Sequence, residues 1–150
     1  MNRRWPETRG QARAAQLWTA PDWPLGAAPD GGIAVERFHF VSGTALYGMV
    51  GGVPAPEPSV AIAPEADGIP FDGSWAWDRP EVTLGLPAWA QEAVLDELTE
   101  LGAAFQITIG ATDAIFTSEL SLRYSVRRLV ALSRPGVDLV SADLWRMAAT

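Results

Sequence analysis

Proline and glycine limit the length of the elements that this chain can form. Between residues 20 and 33 they recur too closely for a regular helix or strand, at Pro21, Pro24, Gly26, Pro29, Gly31 and Gly32. Gly51 and Gly52 are followed by four more prolines, at positions 54, 56, 58 and 64, and by a turn-rich acidic loop over residues 65–73. The first half of the chain is therefore predicted to form short strands and loops.

Short segments in which apolar and polar residues alternate predict β-strands. Residues 33–41 and 45–50 flank Ser42 and Gly43, which suit a tight turn, so these segments are predicted to form a hairpin. Further short strands are predicted over residues 59–63, 74–77, 81–86, 105–109 and 137–140.

The clearest helix is predicted over residues 87–101. Pro87 suits the first helical position, and Gly102 suits the position after the C-cap. The apolar residues between them form a stripe at helical spacing, namely Ala90, Val94, Leu98 and Leu101. A shorter helix is predicted over residues 9–18, because alanine and leucine favour helix there.

The segment 116–127 alternates with a period of two. Apolar residues occupy the even positions from Phe116 to Val126, with Ser118 as the exception, and polar residues occupy the odd positions. This period predicts a long half-buried strand that forms a C-terminal β-hairpin with residues 105–109. The predicted fold class is therefore α+β, with a mainly antiparallel β-sheet, one clear central amphipathic helix over 87–101 and that C-terminal hairpin.

The 150 residues suit one domain with one sizeable core. We predict a single α+β domain over residues 33–150, preceded by an N-terminal arm over residues 1–32 that is rich in tryptophan and proline. Disordered tails rarely carry three tryptophans, and this arm has Trp5, Trp18 and Trp23. The arm is therefore predicted to pack, either on its own domain or on another chain.

The composition excludes several kinds of chemistry. The chain has no cysteine, which excludes disulfides, thiolate catalysis and cysteine metal sites, and it has no lysine for a Schiff base or a P-loop. Its single histidine, His39, leaves little room for a metal site, so we predict no metal, cofactor or catalytic residue. No signal peptide or apolar run of about 18 residues occurs, which predicts a cytoplasmic protein without membrane contact.

The charges are sorted along the chain. Residues 1–13 carry a net charge of +3, residues 14–122 of −13 and residues 123–150 of +3, which gives −7 in all. No basic side chain occurs between Arg79 and Arg123, whereas seven acidic ones do. Such a field disfavours nucleic-acid backbones and favours a basic protein partner.

The predicted helix carries an acidic face next to a tryptophan. We predict that a partner binds there, at Glu92, Asp96, Glu97, Glu100 and Trp89. A merely solvated face is the simplest alternative, and paired catalytic carboxylates are another. Three arginines follow the helix, Arg123, Arg127 and Arg128, and they can form a solvated face, pair with the acidic helix or bind an anion.

These observations support three functional hypotheses. The first is a non-enzymatic acidic binding protein, most concretely an intracellular inhibitor or immunity-type protein that neutralises a basic effector. The second is a structural subunit of a phage or phage-like particle, whose N-terminal arm reaches a neighbouring copy in a homo-oligomer. The third is a small enzyme that uses His39 with a carboxylate. The first is the hypothesis that the charge pattern favours.

Overall fold

The computed structural model describes residues 2–4, 13–19, 32–41, 44–62, 74 and 79–134. Its elements are, in chain order, β1 (Asn2–Arg4), β2 (Arg13–Thr19), β3 (Ile33–Val41), β4 (Thr44–Pro54), β5 (Ser59–Val60), β6 (Val82–Leu84), α1 (Ala88–Glu100), β7 (Phe105–Asp113) and α2 (Glu119–Leu132). The strands form one sheet in the order β1-β2-β3-β4-β7, and the far side of β7 pairs with both β5 and β6. Among the described strands, only β5 pairs in parallel. The α+β class with a mainly antiparallel sheet is confirmed.

The hairpin predicted from residue 33 to residue 50 is confirmed as β3 and β4. Their pairing runs from Ile33 opposite Gly52 to Val41 opposite Thr44, and the two turn residues lie outside the described part of the chain. The strand β4 does not end at the two glycines but continues to Pro54, with a register shift between Gly51 and Gly52. A Cβ at Gly52 would lie 1.8 Å from the Gln106 carbonyl oxygen, so only glycine allows β7 to approach this closely.

Three of the predicted shorter strands are confirmed, but their lengths differ from the prediction. The segments 59–63 and 81–86 are reduced to β5 and β6, whereas the strand predicted over 105–109 extends as β7 to Asp113. Ser74 is not in a strand. The rest of the strand predicted over 74–77, and the strand predicted over 137–140, lie outside the described residues.

The predicted central helix is confirmed as α1. It begins one residue later than predicted, because Pro87 is its N-cap and Ala88 its first helical residue. Its C-terminus is a Schellman motif, in which Gly102 has φ +61° and donates to Thr99, while Ala103 donates to Leu98. The predicted stripe is buried at Ala90, Val94 and Leu98, but not at Leu101.

The prediction of a strand over residues 116–127 is wrong, because the helix α2 begins at Glu119 and includes the rest of this segment. The predicted C-terminal hairpin with residues 105–109 is therefore wrong too, and a second helix stands in its place. A capping box starts this helix at Ser118. The Ser118 hydroxyl accepts a hydrogen bond from the backbone N–H of Ser121 at 3.2 Å, and the Ser121 hydroxyl accepts one from the Ser118 N–H at 2.8 Å.

Small residues explain why the alternating pattern is misleading. Leu120, which the alternation predicts to be buried, is 48% exposed. Ser121 and Ser125, which it predicts to be exposed, are buried, and the Ser125 hydroxyl donates to the Gly48 carbonyl at 3.2 Å. The larger buried residues of α2 follow helical spacing, namely Leu122, Val126, Leu129 and Leu132. In the sequence pattern, these buried serines therefore look like the exposed polar positions of a strand.

The helix predicted over residues 9–18 is also wrong, because Arg13–Thr19 forms β2. This strand pairs with β3 along seven residues, from Arg13 opposite His39 to Thr19 opposite Ile33. Helix propensity favours alanine over other ordinary residues by at most about 0.7 kcal/mol per residue, which tertiary packing routinely overrides. Here Trp18 is buried in the sheet, so this part of the predicted N-terminal arm packs on its own chain.

Both helices pack on one face of the sheet. That face presents Ile33, Val35 and Val50 to the apolar sides of α1 and α2. The opposite face has a smaller apolar cluster that includes Trp18 and Met49 and, among the described residues, no helical side chain. The exposed side of α1 is therefore determined by the packing of its other side onto the sheet and α2.

Candidate partner-binding surface

The side of α1 that faces away from the sheet carries most of the predicted binding residues. Trp89 is 47% exposed, and the side chains of Asp96 and Glu100 are 58% and 71% exposed. Glu92 is exposed as well. At 3.6 residues per turn these four residues share one face, because Ala90, Ala93, Val94 and Leu98 are buried on the other. The structure thus brings four of the five predicted residues together on one surface.

Glu97, the fifth predicted residue, does not belong to this surface. Its side chain is only 2% exposed, and its two carboxylate oxygens accept hydrogen bonds from Arg123 Nη1 at 3.0 Å and from Arg127 Nε. Burial by itself raises the pKa of Glu97, but the hydrogen bonds from Arg127 and Arg123 outweigh it, and the pKa is lowered. Glu97 is therefore occupied by arginines of its own chain and cannot contact a partner directly.

Arg123 is surrounded by carboxylates of both helices. Its Nε and Nη2 both donate to one oxygen of Glu119, Oε1, at 3.2 and 2.9 Å. Asp96 and Glu100 lie at 3.7 and 4.0 Å, which is within ion-pair range but beyond hydrogen-bonding distance. The pairing of Arg123 and Arg127 with the acidic helix, one of the alternatives that the sequence offers, is what the structure shows.

A second polar cluster lies on the sheet face opposite the helices. Glu36 is fully buried, and its Oε2 accepts hydrogen bonds from the Tyr47 hydroxyl at 2.5 Å and from the Ser74 hydroxyl at 2.7 Å. Burial raises the pKa of Tyr47 well above its ordinary value, and the negative charge of Glu36 raises it further. This cluster was not expected from the sequence, although an acid within the apolar strand segment around Val35 is a signal for it.

Asp113, the last residue of β7, binds both Arg79 and the backbone that leads to α2. Asp113 is buried, and its Oδ2 accepts a hydrogen bond from Arg79 Nε at 2.9 Å. Its Oδ1 accepts from the backbone N–H groups of Ile115 and Phe116 at 2.8 and 3.0 Å. The guanidinium of Arg79 lies over the rings of Phe38 and Phe116. All of these contacts fix the connection that orients α2.

His39 and the buried carboxylates are the other groups that bear on catalysis or metal binding. His39 is in the interior strand β3, where its backbone pairs with Arg13 and Leu46, so it does not lie at a sheet edge. No group of three or more histidine, aspartate or glutamate side chains within the described ranges is arranged to hold a metal ion. The buried carboxylates Glu36, Glu97 and Asp113 are each bound by donors of the chain itself.

Comparison with other proteins gives no relative, because no family model, curated protein or solved structure matches the chain. Neither helix in the described part of the chain is long and apolar enough to cross a membrane. Any statement about function therefore depends on the residues of this chain alone.

Proposed function

We propose that this chain is a non-enzymatic binding protein that docks a basic protein partner on the exposed side of α1. Its most concrete form is an inhibitor of the immunity-protein type that neutralises a basic effector in the cytoplasm. One observation carries the proposal, namely a half-exposed indole, Trp89, on the same helix face as the exposed carboxylates of Glu92, Asp96 and Glu100.

Trp89 supplies an apolar anchor for such a partner. The other tryptophan that the structure describes, Trp18, is buried in the core, whereas Trp89 leaves about half of a large ring in water. Leu95 is also exposed on this helix, but six residues from Trp89 it lies about 120° around the helix axis and does not extend the same patch. Tryptophan is enriched among the residues that contribute most to protein–protein binding, because burial of its ring removes a large apolar surface from water.

The exposed carboxylates of α1 have oxygen atoms that are not hydrogen-bonded to the described residues. Asp96 and Glu100 are too far from Arg123 for hydrogen bonds, so their oxygens can accept bonds from a partner's guanidinium or ammonium groups. Glu92 forms no ion pair with any described residue. Negative charge at such a site accelerates association with a basic protein and disfavours acidic ones.

The proposal is tested by capture of the partner with variants of the chain. The immobilised protein is incubated with lysate of the source cells, and retained proteins are identified by mass spectrometry. A double charge reversal, Asp96→Arg with Glu100→Arg, should abolish retention of a basic protein that the wild type retains. Glu57→Arg with Glu81→Arg is the matched control, since it makes the same charge change outside α1 and should retain the partner.

The association rate of the purified pair then measures the electrostatic part of binding. It should fall as salt rises, because exposed charges are screened over a Debye length of about 8 Å at physiological ionic strength. Trp89→Ala should mainly accelerate dissociation. Binding that withstands both the charge reversal on α1 and the increase in salt would remove this surface from the interface.

A further inference from the structure

Arg123 lies among more carboxylates than it binds. It donates hydrogen bonds to Glu119 and Glu97, at 2.9 and 3.0 Å, whereas Asp96 and Glu100 lie within 4.0 Å of its Nη atoms without accepting one. The hydrogen bond to Glu119, and then the one to Glu97, raise the pKa of Arg123, so this side chain stays a cation. Two exposed carboxylates of α1 therefore lie in the field of a cation that is hydrogen-bonded elsewhere.

This cation is close to the place where a basic group of a partner would bind. A nitrogen that donates to Asp96 or Glu100 at about 2.9 Å would lie within roughly 7 Å of the Arg123 guanidinium, because the two carboxylates are 3.7 and 4.0 Å from it. The side chain of Arg123 is only 19% exposed, so water screens its charge in part. A cation that approaches these carboxylates is therefore repelled by Arg123 while they attract it.

We propose that Arg123 is a specificity-determining residue of the exposed side of α1, where it weakens the binding of basic groups that bring no apolar contact. The inference rests on the proposed function, because it concerns the same surface. Specificity depends on unfavourable interactions with wrong ligands as well as on favourable ones with the right ligand. Because Arg123 reduces the attraction of Asp96 and Glu100 for cations, charge alone is insufficient, and the exposed ring of Trp89 has to contribute.

Arg127 provides a matched control for Arg123. Both arginines belong to α2, and both donate to the buried carboxylate of Glu97. Among the described residues, however, Arg127 pairs with no carboxylate except Glu97, whereas Arg123 also lies near Asp96 and Glu100. Loss of either arginine removes one positive charge and leaves Glu97 with one guanidinium, but only the loss of Arg123 removes a cation next to the two exposed carboxylates.

The test uses a fluorescent polyarginine peptide, which is a basic probe without an apolar side chain, and measures its affinity for the whole chain by anisotropy at low ionic strength. Arg123→Gln should bind the peptide at least about threefold more tightly than the wild type, because it removes a repulsion between charges about 7 Å apart. Arg127→Gln should increase the affinity by a smaller factor. Arg123→Lys should bind like the wild type, because it keeps the charge, whereas a purely structural role of Arg123 would make lysine and glutamine act alike.

Two further variants show whether the effect acts through the carboxylates of α1. In a chain with Asp96→Asn and Glu100→Gln, Arg123→Gln should strengthen peptide binding no more than Arg127→Gln does. Arg123→Met is a second neutral replacement, which should act as Arg123→Gln does and replaces it if glutamine disturbs folding.

The inference would be overturned by equal effects of Arg123→Gln and Arg127→Gln, or by an effect of Arg123→Gln that persists without the two exposed carboxylates. Either result would leave the capture of a partner by α1 unaffected. Failure of that capture, together with the gain in peptide affinity for Arg123→Gln, would refute the proposed function alone.

Discussion

Glu97 forms a buried polar link between the two helices. It is the only carboxylate of α1 that the structure buries, and it binds one arginine at each of two successive turns of α2. The Glu97 carboxylate is thereby withdrawn from water, and its charge is compensated by two guanidinium groups that remain partly exposed. Removal of the central carboxylate leaves two arginines without their shared acceptor, which is more costly than the loss of an exposed acid.

We expect Glu97→Gln to lower the free energy of unfolding by about 1–3 kcal/mol, because hydrogen bonds to charged groups are lost. The lower end of this range applies if water solvates Arg127, whose side chain is 45% exposed. Urea denaturation at neutral pH measures the change. Glu92→Gln is the matched control on the same helix and should have an effect within about 0.5 kcal/mol. Equal effects of the two substitutions would contradict the role of Glu97.

Because the pKa of Glu97 is lowered, we also expect the free energy of unfolding to depend on pH in the acidic range. The folded-state pKa of Glu97 is lowered from the ordinary value of 4.5, so its contribution is complete above pH 4.5. That contribution is lost as the pH falls through the lower folded-state pKa. The difference in unfolding free energy between wild type and Glu97→Gln should therefore shrink as the pH falls below 4.5. A difference that stays constant down to the pH of acid unfolding would contradict the lowered pKa.

Because the pKa of Tyr47 is raised, we expect its contribution to the free energy of unfolding to be lost in the alkaline range. Its folded-state pKa is raised well above the ordinary value of 10.0, so the contribution of its neutral form is complete below pH 10 and is lost as the pH rises further. Tyr47→Phe should cost about 1–3 kcal/mol near neutral pH, because Glu36 loses a buried donor. This cost should diminish above pH 10, as measured by denaturation at several pH values. A cost that is independent of pH would show that the hydroxyl does not stay protonated.

At the scale of elements, local signals predict structure well where one signal dominates. Pro87 and Gly102 bracket α1, and the two-residue connection after Val41 fixes the β3–β4 hairpin. The prediction fails for α2 because Ser121 and Ser125 are polar in type but buried by their small size. It fails for β2 because the pairing of Arg13–Thr19 with β3 is a contact that local propensity does not encode.

The candidate surface is predictable to a similar extent. Helical spacing alone places Trp89, Asp96 and Glu100 on one exposed face. Spacing cannot show that Glu97, one residue beyond Asp96, faces α2, because α2 itself was predicted as a strand. The position of the arginines relative to α1 depends on how the two helices pack, which is a property of the whole core.

The serine cap of α2 gives a prediction for this element. Ser118→Ala removes the hydroxyl that accepts from the Ser121 N–H, and it should lower the free energy of unfolding by about 0.5–2 kcal/mol. Thermal or urea unfolding measures this loss. Ser118→Asp should retain most of the stability, because aspartate is an equally good N-cap and its charge suits the helix dipole. Equal losses from the two substitutions would show that the cap does not stabilise α2.

At the scale of the whole molecule, the mass in solution separates the two non-enzymatic hypotheses. A binding protein that uses the exposed side of α1 should be a monomer or dimer, since the surface must be free for a partner. A particle subunit should assemble into a ring or tube under suitable conditions. Light scattering coupled to size-exclusion chromatography measures the mass, over a range of protein concentrations. A closed ring at all concentrations would favour the particle subunit.

The described strands at the edges of the sheet are all very short. The outer strand on one side is β1, with three residues, and the far side of β7 is divided between β5, with two residues, and β6, with three. Strand addition and fibril growth both need a long row of free backbone groups that a second chain can copy. The described edges offer no such row. At the described edges, a second copy would therefore find only short stretches of backbone to pair with.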